Sequence, residues 1–197
     1  MDGKSDLAAV LEPVRDLHVA GLLELMAREL TLGADVEAEP LERDAEGRVR
    51  RRPPLDLPRR CDLRVTRDGR SLTPRAPCKT ALRFTPLAVA LSDVSNLRLG
   101  PFCWGAVTLL ARGAAGTPNW TPVRRWHLEW LQARFGDESP DLLGAVHAID
   151  GPAPHADGWR FTLDLGSAPV AGFVAMVAAF GRTGCAEICV GETEDAL

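Results

Sequence analysis

The segment Trp159–Leu165 alternates apolar and polar residues without interruption, which is the period of a β-strand with one buried face. A charge-free apolar stretch follows it, and the bounding residues Pro169 and Gly181 predict a helix between them. Cys185–Val190 predicts a last strand, and Leu142–Ile149 predicts a strand before the alternating one. This order restricts the C-terminal part of the chain to a β-β-α-β arrangement.

Two further segments carry the spacing of helices. Residues 6–31 place apolar side chains three and four positions apart, although Pro13 and Gly21 predict a break into two pieces. The second helix is better delimited, because Thr121 suits an N-cap and Gly136 follows the end of the pattern.

The middle of the chain is rich in predicted strands, at Cys61–Arg67, Leu82–Leu91, Leu97–Leu99 and Trp104–Ala111. The last of these is apolar on both faces, which is typical of a central strand. Together these patterns predict an α+β fold, with a mainly antiparallel or mixed sheet of five to seven strands. Two helices pack on this sheet, and an N-terminal helical segment is added at one edge.

The expected organisation is a single domain over residues 1–197. Within it we distinguish a helical segment at 1–34, a charged hairpin or loop at 35–60 and an α+β core at 61–197. In the middle segment, acidic residues precede the basic run Arg48–Arg52, which suggests cross-strand ion pairs.

Composition excludes several classes of protein. A hydrophobic content of 46% is ordinary for a globular chain, and the net charge of −4 argues against nucleic acid as a partner. The longest charge-free stretch is interrupted by Gly and Pro and is too short to span a membrane, for which about 20 apolar residues are needed. Without an export signal we expect a cytoplasmic location with reduced cysteines, and the arginine-rich composition suggests a bacterial protein.

The common catalytic motifs for phosphate binding, dinucleotide binding and serine nucleophiles are absent from the sequence. His127 and Glu129 match half of a zinc deaminase signature, but the cysteine pair that completes it is missing. A thiol site that combines Cys103 with His127 or His147 is an alternative that the sequence leaves open.

We expect no metal and no cofactor. Cys185 and Cys189 have a spacing found in zinc sites, but no second pair of ligands matches them. Two buried, reduced cysteines in an apolar strand are the better interpretation.

The helix after Trp120 carries two apolar stripes, one more than a surface helix needs. We expect Leu128, Leu131 and Phe135 to anchor it in the core. The other stripe would then remain partly accessible for a partner, and the candidate partner-binding residues are Trp126, Trp130, Arg134 and Trp120.

These patterns favour a non-enzymatic protein-interaction module, such as an immunity-type or adaptor protein of a bacterial system. Its partner would be another protein or a second copy of the chain. The alternative is a small enzyme or ligand-binding protein with a pocket that uses Cys103 and His127 or His147. No motif is specific enough to name a family.

Overall fold

The computed structural model describes residues 3–78, 82–92, 95–114, 116–132 and 141–191, and every structural statement concerns these residues. The helices are α1 (Gly3–Thr31), α2 (Thr121–Gln132) and α3 (Val170–Phe180). The strands are β1 (Asp35–Ala38), β2 (Arg51–Arg52), β3 (Leu57–Pro58), β4 (Leu63–Arg67), β5 (Arg70–Leu72), β6 (Leu87–Ser92), β7 (Ser95–Leu99), β8 (Val107–Arg112), β9 (Ala148–His155), β10 (Gly158–Asp164) and β11 (Glu187–Gly191).

A six-stranded mixed sheet has the order β6-β7-β11-β8-β10-β9. Strand β11 runs parallel to β7 and antiparallel to β8, and β8 is also antiparallel to β10. Strands β10 and β11 therefore run in the same direction with β8 between them, and α3 joins them. The predicted α+β fold is confirmed, and β8 is an inner strand, as its apolar residues on both faces indicated.

A smaller sheet has the order β1-β4-β5, and β2 pairs with β3 beside it. The predicted charged hairpin is present between Glu42 and Arg50, where the amide of Arg50 donates to the carbonyl of Glu42 at 2.9 Å and Asp44 accepts hydrogen bonds from Arg48 across a tight turn. The earlier part of the acidic arm, Asp35–Ala38, pairs with β4 instead of with the arginine-rich arm. The reason is that β4 offers the buried side chains of Leu63 and Val65, whereas the arginines of β2 are exposed.

Helix α1 is continuous, which corrects the predicted break at Pro13 and Gly21. Proline inside a helix costs about 3 kcal/mol. Here burial on both sides of Pro13 offsets that cost, because Leu11 and Val14 pack in the main core and Leu25 packs on the small sheet. Helix α1 thus spans both sheets.

Strand β9 also differs from the prediction of a strand at Leu142–Ile149. The strand begins only at Ala148 and continues through Pro152 and Pro154. Proline cannot donate to a ladder, but β9 is an edge strand, and β10 is its one partner among the described strands. The described residues just before Ala148 lie outside the strands and turn into the interior.

Helix α3 begins after Pro169 and ends at Gly181, as the sequence predicts. It buries Phe173, Met176 and Phe180 against the large sheet, while Val170 and Val174 are half-buried. Among the described helices, none combines the length and the apolar character that crossing a bilayer requires.

Candidate functional site

The tryptophans predicted to face a partner are buried. Trp126 is 3% exposed and Trp130 is 7% exposed. The indole nitrogen of Trp126 donates to the carbonyl of Gly172 at 3.0 Å. A Cβ at Gly172 would lie 2.9 Å from the ring of Trp130, so this glycine lets α3 pack closely on α2. The expectation that both rings remain partly accessible is wrong, because α3 covers them.

The other residues of that candidate surface have different positions. Trp120 is half-buried and meets Phe161 edge-to-face, with ring centroids 4.9 Å apart. Arg134 and Phe135 lie outside the described residues. Of the predicted anchors, Leu131 is buried and Leu128 is half-buried. That the chain binds a protein partner stays a prediction, but it no longer has accessible tryptophans to support it.

Cys103 forms a disulfide with Cys78, which corrects the expectation that all cysteines are reduced. A sulfur in a disulfide is not a nucleophile, so a thiol site at Cys103 is not formed in this state. Cys185 and Cys189 are buried and reduced, as predicted. Burial and the neighbouring Glu187 raise the pKa of Cys189 to about 11, which makes it an inert thiol.

His127 is a core residue. Its ring is fully buried, and Nε2 donates to the carbonyl of Pro58 at 2.8 Å. Burial lowers the pKa of His127 to about 4, against the raising effect of that hydrogen bond. The histidine is therefore neutral at pH 7 and ties α2 to β3. His127 is thus bonded to a backbone carbonyl, whereas His147 contacts carboxylates.

His147 lies at the centre of a buried polar cluster where the small sheet meets the large one. Backbone hydrogen bonds assemble this junction. The amide of Arg60 donates to the carbonyl of His147, and the amide of His147 donates to the carbonyl of Asp164, both at 2.9 Å. On the small-sheet side, the amide of Glu39 donates to the carbonyl of Asp62 at 2.8 Å. Three separate stretches of chain are thereby fixed around one imidazole.

Glu39 holds one side of that imidazole. Nε2 of His147 donates to Oε1 of Glu39 at 2.7 Å, and both side chains are fully buried. The hydroxyl of Ser167 donates to the same oxygen at 2.6 Å, and the amide of Leu143 donates to Oε2. Glu39 has a φ of 50°, a conformation uncommon outside glycine, and such outliers cluster at functional sites.

Two aspartates face the other side of the ring. Nδ1 of His147 lies 3.1 Å from Oδ1 of Asp62 and 3.6 Å from Oδ1 of Asp164. One donor atom from each of these three residues lies within 4.8 Å of the others, close enough for a single metal ion to reach all three. The amide of Ala76 donates to Oδ2 of Asp62 at 2.6 Å, and the amide of Gly166 donates to Oδ1 of Asp164 at 3.0 Å. The two carboxylates are thus fixed by backbone donors.

The acids reverse the usual effect of burial on this histidine. Burial alone would lower the pKa of His147, but Asp164, Asp62 and Glu39 raise it well above its ordinary value. Burial would raise the pKa of Glu39 and of Asp164, yet contact with His147 lowers both. His147, Glu39 and Asp164 therefore hold charge in the interior.

Comparison with protein-family models, with curated proteins and with solved structures gives no significant match. The geometry of this cluster is therefore the main guide to function.

His18 of α1 borders the cluster from a third direction. Its Nε2 is buried and has no hydrogen-bond partner among the described residues. Burial lowers the pKa of His18, while the charges of Asp164 and Asp62 act in the opposite direction, so the ring lies within electrostatic reach of both. A Cβ at Gly105 would lie 2.5 Å from Cε1 of His18, so the absence of a side chain there makes room for the ring.

Sequence reasoning singled out His147 but missed its partners. The metal sites that the sequence suggested were at His127 and at Cys185 with Cys189, and neither includes a member of this cluster. A usable signal was present, since Glu39 and His147 are both ionisable residues between small apolar ones. Such positions point to burial, and a buried ionisable group needs a charged partner.

Proposed function

We propose that this chain is a divalent-metal-binding protein, with Asp62, His147 and Asp164 as the ligands whose donor atoms already lie together. His18, which borders this group within electrostatic reach of both aspartates, would turn toward the ion as the fourth ligand. The observation that carries the proposal is that the two ring nitrogens of His147 have different partners. Glu39 accepts the hydrogen of Nε2, while Nδ1 faces two carboxylates. Histidine ligands of metals almost always donate their second nitrogen to a carboxylate or carbonyl, which fixes the orientation of the ring.

Charge supports a cation at this place. Three carboxylates, those of Glu39, Asp62 and Asp164, face a single histidine, and the guanidinium of Arg60 donates to the carbonyl of Glu39. Negative charge is therefore in excess in a region from which water is largely excluded. Buried charges need compensation, and a divalent cation between the two aspartates would supply it.

The donor set favours zinc. Two imidazoles and two carboxylates suit a first-row transition ion, and closed four-ligand sites are typical of structural zinc. The side chains of His147, Asp62 and Asp164 are 0%, 5% and 20% exposed, which leaves little room for a substrate. We therefore propose a structural ion that joins α1, the small sheet and the large sheet.

The test is calorimetric titration of the chelator-treated protein with Zn²⁺, with Co²⁺ absorption as a probe of the ligands. We expect one equivalent to bind. Asp164→Asn and His18→Gln should each weaken binding by more than about 100-fold, since even the loss of a partner outside the ligand shell costs about 10- to 100-fold. His127→Gln is the matched control, because His127 is equally buried but has a separate partner, and it should bind zinc like the wild type.

If no zinc binds, the cluster is a buried ion-pair network of one imidazolium and three carboxylates. In that case Asp164→Asn would lower the free energy of unfolding equally in the presence and absence of metal.

A further inference from the structure

The Cys78–Cys103 disulfide connects two segments that both border the proposed zinc site. Cys78 follows two residues after Ala76, whose amide donates to Oδ2 of Asp62 at 2.6 Å. Cys103 stands two residues before Gly105, which lies against the ring of His18. The disulfide therefore clamps together the backbone that supports two of the four proposed ligands.

Within the part of the chain that the structure describes, the segment from Thr73 to Cys78 makes few other contacts. It lies outside the strands and is mostly exposed. Ala76 is the exception, since it packs against the cluster of the small sheet as well as bonding to Asp62. With the disulfide intact, this single hydrogen bond is held by a covalent anchor two residues away. Without the disulfide, local opening of the segment would release it.

We propose that this disulfide is a redox switch for the zinc site, with the oxidised form binding zinc tightly and the reduced form binding it weakly. This inference rests on the proposed function, because the switch acts on the proposed zinc site.

The chemistry is thiol–disulfide exchange with a dithiol reductant. A thiolate of the reductant attacks Sγ of Cys78, which is exposed, and the Cys78–Cys103 bond breaks. The second thiol of the reductant then displaces Cys78 and closes the reductant's own disulfide. Two electrons pass to the protein, and both cysteines end as protonated thiols.

The experiment compares zinc affinity in the oxidised wild type and in the variant Cys78→Ser/Cys103→Ser. The double variant represents the reduced form without a thiol reagent, which would itself bind zinc. We expect its Kd to be about 10-fold weaker or more, in the range for loss of a partner that orients a ligand. Hydrogen exchange of the Ala76 amide, measured without zinc, should be faster in the double variant.

A second variant keeps the disulfide and removes only the hydrogen bond. Ala76→Pro eliminates the amide donor to Asp62, so it should weaken zinc binding to a similar degree in the oxidised state. Combining it with the cysteine double variant should add little further loss, because both changes act through the same contact. If the double variant does not fold, Ala76→Pro still tests whether the hydrogen bond from Ala76 to Asp62 controls the affinity for zinc.

The outcomes separate the two proposals. If the oxidised wild type binds no zinc, the proposed function fails and the switch fails with it. If zinc binds equally well in both redox states, the switch alone is overturned. If binding weakens but exchange at Ala76 is unchanged, the proposed route through Asp62 is overturned.

Discussion

Glu39 and His147 are 108 positions apart in the sequence, yet Nε2 of the histidine donates to the carboxylate at 2.7 Å. The bond crosses the junction between the small sheet and the large one. Both side chains are fully buried. A buried ion pair is costly to break, because the remaining charge keeps its desolvation penalty without its partner. The pair therefore couples the folding of the two sheets.

The first prediction concerns Glu39→Gln. The amide of glutamine would present a donor to Ser167 or Leu143, which already donate, and it would remove the charge that faces His147. We expect the free energy of unfolding to fall by about 3 kcal/mol. The affinity for zinc should fall by about 10- to 100-fold, because the histidine loses the group that orients it.

Glu42→Gln is the matched control for this prediction. Glu42 lies on the same segment, but its side chain is 18% exposed and its ion pair with Nε of Arg59 is long, at 3.9 Å. Loss of such a loose pair should change stability by less than about 1 kcal/mol. Urea titration of the two variants side by side checks the comparison. Equal losses would show that Glu39 has no special role.

The second prediction concerns Gly166, which has a φ of 52° and lies beside the imidazole of His147. A Cβ at this position would clash with Cδ2 of the histidine and would lie 2.5 Å from the carbonyl oxygen of Ala145. We expect Gly166→Ala to cost about 3 kcal/mol or more, since the clash adds to the backbone strain.

Gly33→Ala separates the two contributions. Gly33 has a φ of 73°, and nothing lies within 4 Å of the added Cβ. It should therefore show the backbone cost alone, about 1–2 kcal/mol. Thermal unfolding of both variants gives the difference. If Gly33→Ala costs as much as Gly166→Ala, the close approach at His147 is not what selects glycine.

Local signals account for the elements that the sequence predicts well. The alternation before Asp164 and the residues that bound α3 are short-range features, and each element formed where they indicated. The predicted bounds of strand β9 are wrong because its pairing partner, rather than its own proline-containing sequence, determines its extent. Tertiary context overrides propensity in this way wherever an edge strand can use its one available partner.

The candidate site could not be read from spacing, because its members come from five separate segments. The proposed ligands and Glu39 lie at positions 18, 39, 62, 147 and 164. Recognisable metal motifs place ligands a few residues apart on one element. Here the sheets bring them together, so only the folded chain reveals which acid meets which histidine.

The third prediction concerns the cost of truncating Trp130, which is buried instead of partly accessible. The ring packs against α3 and is 7% exposed. We expect Trp130→Ala to lower the free energy of unfolding by about 3–5 kcal/mol, the usual cost of deleting a buried aromatic side chain. Leu72→Ala is the exposed control at 56% exposure and should cost less than about 1 kcal/mol. Denaturant titration distinguishes a core position of Trp130 from a binding surface, at which truncation would weaken association and leave folding intact.

The last prediction concerns the pH dependence of stability through His127. Its pKa in the folded protein is about 4, because burial disfavours the charged ring, against about 6.5 in an unfolded chain. Between these values the unfolded state binds a proton that the folded state does not. The stabilising contribution is therefore complete above pH 6.5 and is lost as the pH falls toward 4. At about 1.36 kcal/mol per pKa unit, the loss is at most about 3 kcal/mol.

The measurement compares urea unfolding of the wild type and His127→Gln at about pH 7 and about pH 4.5, on either side of most of that titration. Glutamine keeps a donor for the carbonyl of Pro58 and does not titrate. The difference in stability between the two proteins should narrow by about 2–3 kcal/mol on acidification, because only the wild type loses the contribution of a neutral buried histidine. Other titrating groups are common to both proteins and cancel in the difference. A difference that stays constant with pH would show that His127 is already protonated in the folded protein under the acidic condition, or is free to reach water.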